Sequence, residues 1–164
     1  MNDAVTIRAA REDEVPLVLQ FVKELAEYER LLHEVVATEE GIRKCLFGPK
    51  PYAEVVFACL QAEPVGFALF FHNYSTFLGQ PGIYLEDLFV RPTVRGKGVG
   101  QAVLRWLAAE AVRRGCGRLE WAVLDWNEPA IRFYKSLGAR PMDEWNVFRL
   151  TGDALQRVGR GAAE

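Results

Sequence analysis

Six consecutive residues, Arg95-Gly-Lys-Gly-Val-Gly100, place three alternating glycines and two cations where an apolar run ends and a helical pattern begins. A helix starting there presents unpaired N–H groups and the positive end of its dipole, and glycines let the backbone approach closely, so a phosphate is the natural guest. Neither common nucleotide motif fits. A P-loop needs Gly-x4-Gly-Lys followed by Ser or Thr, but Gly98 follows Lys97 and Arg91 stands at the first glycine position. The dinucleotide pattern, counted from Gly96 and Gly98, meets Gln101 at its third glycine, and Pro92 interrupts the tight strand-to-helix turn. Just upstream, Glu86 and Asp87 are adjacent in a run whose Leu85, Leu88 and Phe89 read as buried. Strand alternation sends the two carboxylates to opposite faces, so only one lines the cleft, and Glu86 is the expected one. Downstream, Asn127 ahead of Pro129 reads as a helix cap. Tyr134 falls in an apolar stripe with Ile131, Phe133 and Leu137, a spacing that by itself reads as packing.

Strand and helix patterns account for where these residues sit. Val5 to Ala9 reads as a strand. Glu14 to Tyr28 reads as an amphipathic helix, with Val15, Val18, Leu19, Val22, Leu25 and Ala26 on one face. Thr38 caps a short helix ending near Gly48, and Tyr52 to Leu60 with Val65 to Tyr74 form a hairpin around Pro64. Ile83 to Arg91 is the fourth strand. Gly100 to Arg114 is a helix with Val103, Leu104, Leu107, Ala108 and Ala111 inside, ended by Gly115. Leu119 to Leu124 gives a fifth strand, Glu128 to Leu137 a helix closed by Gly138, and Val147 to Leu150 part of a last strand. The order is α+β, and the helical crossover makes strands four and five parallel neighbours.

Composition narrows the partners. With 164 residues, 50% hydrophobic and 26% charged, the chain reads as one domain, a single unit from Val5 to about Val158. A net charge of −2 supplies no global positive field, so neither nucleic acid nor an anionic membrane is an expected partner. Cys45, Cys59 and Cys116 cannot complete a disulfide set and form no CxxC pair, and His33 and His72 lie far apart, so no metal is expected. The opening MNDAVTIRAA lacks the basic start and apolar core of a leader, and the longest apolar run, Val65 to Phe71, falls far short of the ~20 residues that span a bilayer. A soluble, cytoplasmic protein is expected.

Arg95-x-x-Gly98-x-Gly100 resembles the acetyl-CoA pyrophosphate loop of the GNAT N-acetyltransferases. Within that superfamily, ELAEYE (24 to 29), YLEDLFV (84 to 90), VLDWNEPAIRFYKSLGA (123 to 139) and Trp145 are similar to the diamine (spermidine/spermine) and thialysine N-acetyltransferases, a likeness running from about Ile7 to Leu150. Two features differ: a shorter hairpin turn at Glu63 and Pro64, and no glycine before Trp145.

The resemblance implies a GNAT-like fold, a mixed, mostly antiparallel twisted sheet with splayed parallel central strands flanked by helices. It implies acetyl transfer from acetyl-CoA to the primary amine of a polyamine, thialysine or related basic amino acid, by direct attack in a ternary complex. Glu86 would be the base, usually through water, and Tyr134 the acid that protonates the departing thiolate. The backbone of Leu88, Phe89 and Val90 would bind the pantetheine arm and supply an N–H to the thioester carbonyl. Arg95, Gly96, Lys97, Gly98, Val99, Gly100 and Gln101 would hold the pyrophosphate, and Asn127, Ala130 and Tyr134 would complete the CoA contacts. Tyr28, Glu29, Glu86, Asp87, Glu120, Trp121 and Trp145 would line the amine site, an acidic and aromatic surface suited to a cation. A homodimer is also implied. Acetylation of a protein or peptide, and a non-catalytic acyl-CoA sensor, remain open alternatives.

Overall fold

The computed structural model describes residues 4–161, which form two compact units, one up to residue 122 and one from residue 123. The first unit carries the sheet. Its elements are β1 (Thr6–Ala9), α1 (Val15–Tyr28), α2 (Glu39–Phe47), β2 (Glu54–Leu60), β3 (Glu63–Ser75), β4 (Gln80–Val90), α3 (Val99–Arg113) and β5 (Leu119–Trp121). The strands lie in the order β1-β2-β3-β4-β5, antiparallel up to β4, with β4 and β5 parallel as the crossover requires.

The odd-numbered side chains of β2 and β3 pack under α1. Val18, Phe21 and Leu25 meet Val55, Phe57, Cys59 and Phe67, joined by Phe89 of β4. The Phe21 ring stacks on Phe67 at 5.5 Å and meets Phe57 at 5.8 Å, so one aromatic side chain centres this layer. The opposite face packs on α3, where Val99, Val103, Leu104, Leu107 and Ala111 are buried and Trp106 meets Phe70 edge-on at 5.9 Å. Thr38 caps α2 by accepting from Gly41 N–H at 3.1 Å. The β2–β3 hairpin closes through Gln61 and Ala62, both left-handed at φ 48° and 67°, the twist that a two-residue turn needs.

Arg91, at the end of β4, ties the sheet to α1. Its guanidinium donates twice to Glu24 at 3.0 Å, once to the Pro64 carbonyl at 3.2 Å, and lies over the Phe21 ring at 4.7 Å. The Arg91 side chain therefore shifts the Glu24 carboxyl down from its ordinary value.

Two strand expectations change. The fifth strand is three residues long rather than Leu119 to Leu124, because its pairing with β4 ends at Leu85 and Trp121. Val147 to Leu150 forms no strand: among the described residues no strand pairs with it, and Val147 and Phe148 stand 88% and 95% exposed. β-propensity is expressed only where a pleated surface receives the side chains. The second unit holds α4 (Glu128–Ser136) and a helix that the sequence pattern did not reveal, α5 (Gly152–Gly159).

Candidate active site

β4 contains a bulge at the carboxylate pair. Leu69 is opposite Asp87 and Phe70 is opposite Leu85, which leaves Glu86 with no partner across the β3 ladder. An extra residue inserted this way puts two successive side chains on the same side of the sheet. Tyr84 lies on the α1 side, its ring 5.3 Å from Phe71, and Phe89 lies on that side too, within the α1 cluster. Glu86 and Asp87 therefore both face α1, which corrects the expectation of opposite faces. Alternation holds only in an unbroken ladder. The signal was present in the sequence as two adjacent carboxylates inside an otherwise buried strand, a pattern that a regular strand accommodates badly.

The two carboxyls are not equivalent. Glu86 is exposed, whereas Asp87 is half-buried. Burial first, then the charges of Glu86 and of Glu29, push the Asp87 carboxyl up to about 6. Glu29, the residue that ends α1, is pushed up by its own burial. Among the described residues no hydrogen bond or ion pair engages Asp87, so its oxygens are free to accept.

Among the described residues the β5 side of β4 has no strand neighbour beyond Leu85, so Leu88, Phe89 and Val90 lie on an open stretch. Arg91 N–H donates to the Val65 carbonyl at 2.9 Å, and the Val90 carbonyl, trans to it across the same peptide, therefore points away from β3 to the open side. That carbonyl accepts from Arg95 Nε at 3.0 Å. The open edge is the expected berth of an extended ligand.

The turn after β4 runs through a short 3-10 segment, Pro92–Val94, into Gly96 and Gly98 at φ 78° and 79°, where a side chain is strained even though space is open around both. Gly98 is the N-cap of α3, and the first helical donor is Ala102 N–H to the Gly98 carbonyl at 2.9 Å. Among the described residues the N–H groups of Gly96, Lys97, Gly98, Val99, Gly100 and Gln101 serve no other backbone or side-chain acceptor. Six consecutive free donors at a helix start fit a pyrophosphate. The Arg95 guanidinium instead covers the Tyr28 ring at 4.2 Å and reaches Phe89 at 5.8 Å, so it links the turn to the end of α1.

The remaining expected residues divide between the two units. Tyr28, Glu29, Glu86 and Asp87 gather on the α1 face. Glu120, opposite Tyr84, is already engaged, accepting from Asn73 Nδ2 at 2.7 Å and pairing with Arg118 at 2.9 Å; Trp121 follows it at the end of the pairing with β4. In the second unit Asn127 is the N-cap of α4, its side chain accepting from Ala130 N–H at 3.4 Å. Tyr134 is half-buried beside Phe133 at 5.6 Å, no residue of α4 is buried, and Trp145 is 72% exposed. Arg91 and Asn73, the partners that organise Glu24 and Glu120, were not legible in the sequence because both bonds join residues 47 or more apart. Among the described residues no three His, Cys, Asp or Glu side chains cluster as metal ligands, and no helix is long and apolar enough to cross a membrane.

Fold and site together define an α+β protein with a run of free backbone donors at a helix start beside an open strand edge and a pair of adjacent carboxyls. The profile of the Acetyltransferase (GNAT) family matches residues 19–139, and the chain belongs to that family as an acetyltransferase. It is similar to thialysine N-epsilon-acetyltransferase of Sus scrofa, 39% identical over 170 residues covering 94% of this chain and 97% of that protein. It is also similar to L-ornithine N5-acetyltransferase NATA1 of Arabidopsis thaliana, 35% identical over 199 residues covering 94% and 87%. Among solved structures, an integron cassette protein of V. cholerae superimposes with a TM-score of 0.79 at 28% identity, covering 95% of this chain and 98% of that one.

Proposed function

We propose that this enzyme transfers the acetyl group of acetyl-CoA to the primary amine of a small cationic substrate, a polyamine, thialysine or related basic amino acid, by direct attack in a ternary complex. The observation that carries this reading is the convergence of Glu29, Glu86 and Asp87 on one face of the sheet, next to the open edge of β4. Three carboxyls sharing a half-buried surface repel one another and are relieved by a cation. The relatives' names, with thialysine and ornithine as acceptors, agree with an acceptor of this kind.

The pyrophosphate lies on the free N–H groups from Gly96 to Gln101, and the pantetheine arm runs along Leu88 to Val90. Asn127, Ala130 and Tyr134 complete the CoA contacts, and Tyr28, Trp121 and Trp145 add aromatic surface for the amine. An ammonium near pKa ~10.4 is neutral in only about one molecule in 2,500 at pH 7, so a carboxylate must take its proton before the nitrogen can attack. The resemblance assigns that proton to Glu86. A backbone N–H of the open segment steadies the thioester oxygen, and Tyr134 returns a proton to the departing sulfur. The same reading brings a homodimer and a cytoplasmic setting with it.

A panel of amines incubated with acetyl-CoA, followed by CoA release and product mass, tests the reading. Acetylated polyamine, ornithine-like or lysine-like products are expected. Acetylation of peptides alone would favour protein substrates, and CoA binding without turnover would favour a sensor.

A further inference from the structure

Resting on the amine-acetyltransfer reading above, we infer that Arg118, through its ion pair with Glu120, selects a basic amino acid over a diamine as the acceptor. Glu120 is opposite Tyr84, on the same α1 side of the sheet as Glu86 and Asp87. Tyr84 precedes Asp87 by three residues of β4. At about 3.3 Å per residue, Glu120 therefore lies roughly 10 Å along the strand from the carboxyls that receive the reacting ammonium. The far end of an extended acceptor held by those carboxyls is directed toward the Arg118–Glu120 pair.

The pair is built into the sheet. Glu120 Oε2 accepts from Asn73 Nδ2 at 2.7 Å and lies 2.9 Å from Arg118 Nε, while Arg118 Nη2 lies 3.5 Å from the Tyr74 carbonyl. Arg118 Nε is buried and not aligned for a hydrogen bond to Glu120, so the attraction is ionic. Asn73 stands opposite Gly82. A Cβ at Gly82 would overlap Asn73 Oδ1 and press on Arg118 Cγ at 3.0 Å, so a glycine there lets side chains of β3 and β5 meet across β4. The Arg118 and Glu120 side chains are 37% and 35% exposed, and among the described residues Arg118 Nη1 has no acceptor, so a ligand reaches both.

Charge separates the two classes of acceptor. Glu29, Glu86 and Asp87 give the near end of the site an excess of negative charge, which suits one ammonium. At the far end Glu120 already has its cation, and the sum there is zero. A basic amino acid matches this division. Its side-chain ammonium carries the one excess charge, while its α-ammonium and carboxylate cancel, the ammonium offered to Glu120 and the carboxylate to Nη1. A diamine with the same chain brings a second, uncompensated ammonium against Arg118, a like-charge contact with nothing to offset it. Removing the guanidinium leaves Glu120 unpaired, which favours the diamine.

The test uses acceptors that differ only by the carboxylate, ornithine against putrescine and lysine against cadaverine, with kcat/KM measured for each on the full chain. The wild type is expected to favour the amino acid in both comparisons. Arg118→Gln is expected to shift the ratio toward the diamine by about tenfold or more, the scale of one like charge at a half-exposed site, and Arg118→Lys to keep the wild-type preference. Glu120→Gln leaves a positive far end and is expected to move the ratio the other way, and combining it with Arg118→Gln to reverse most of the Arg118→Gln shift. Melting temperature and CoA affinity are followed in every variant; a merely structural role lowers both acceptors alike and leaves the ratio in place. A ratio unmoved by Arg118→Gln and Glu120→Gln, a shift undiminished in the double variant, or a wild type that favours the diamine overturns the assignment and leaves amine acetylation standing. A wild type that binds CoA but acetylates no small amine overturns both.

Discussion

Tyr134 shows how a single side chain can be read two ways. Its helical spacing places it with Ile131, Phe133 and Leu137, and Ile131, Phe133 and Tyr134 of α4 are half-buried while Leu137 is exposed. Tyr134→Phe is expected to lower the acetyl-transfer rate by about 10² to 10⁴ and to leave acetyl-CoA affinity unchanged, since a hydroxyl that protonates the departing thiolate acts after binding. Pre-steady-state kinetics at saturating amine, with thermal melts on the same samples, decide it: a wild-type rate returns Tyr134 to packing. Asp87 makes a complementary case on stability. Its carboxyl, pushed up to about 6, takes up a proton more readily in the folded chain than in the unfolded one. The contribution of Asp87 to stability is therefore greatest below the ordinary aspartate range and falls as pH rises from about 4 to about 6, by something on the order of 2 kcal/mol. Asp87→Asn removes that cost. Melts at about pH 8 should show the variant more stable than the wild type, with the gap closing near pH 4; an unchanged gap would mean that Asp87 is not destabilised by ionisation.

At the scale of elements, β4, its glycine turn and α3 act as one device. The free N–H donors belong to the backbone, so no single side-chain deletion removes them, but a side chain at Gly98 must adopt φ near 79° or distort the turn. Gly98→Val should therefore weaken CoA binding far more than Lys97→Ala does, and calorimetry giving wild-type affinity for a folded Gly98→Val protein would remove the pyrophosphate from this turn. Much of this device was legible before any coordinates. Hydrophobic period located α1, β2 to β4 and α3, and the glycines located the turn that starts α3 with its free N–H donors, because both signals are local. The bulge was not, since register depends on what β3 places opposite Glu86 and Asp87. The Arg95 contact with Tyr28 was not either, because a flexible cation 67 residues from an aromatic ring leaves no periodic trace. Val147 to Leu150 failed for a related reason. Its residues have strand propensity, but a strand also needs a neighbour to receive its N–H and C=O groups.

At the scale of the whole molecule, that unpaired segment bears on assembly. Val147 and Phe148 are almost fully exposed, and Trp145 and Leu150 on either side are more than half exposed. Contiguous exposed apolar surface of this kind marks a place where something else binds. A second copy of the chain is the occupant that the homodimer reading supplies, and it offers in each direction the same extended segment and the same exposed side chains, as two-fold interfaces require. Light scattering coupled to size exclusion at micromolar concentration should then report twice the 18.5 kDa chain mass. Phe148→Asp puts a charge at the centre of the patch at a residue that is 95% exposed, so it should halve the measured mass while leaving the melting of the monomer little changed. A wild-type protein that runs at the mass of one chain would show that no copy of itself covers these residues. A Phe148→Asp variant that stays at the doubled mass would move the contact to another surface, such as Tyr74, Phe77 and Leu78 at the β3–β4 turn, which are also exposed.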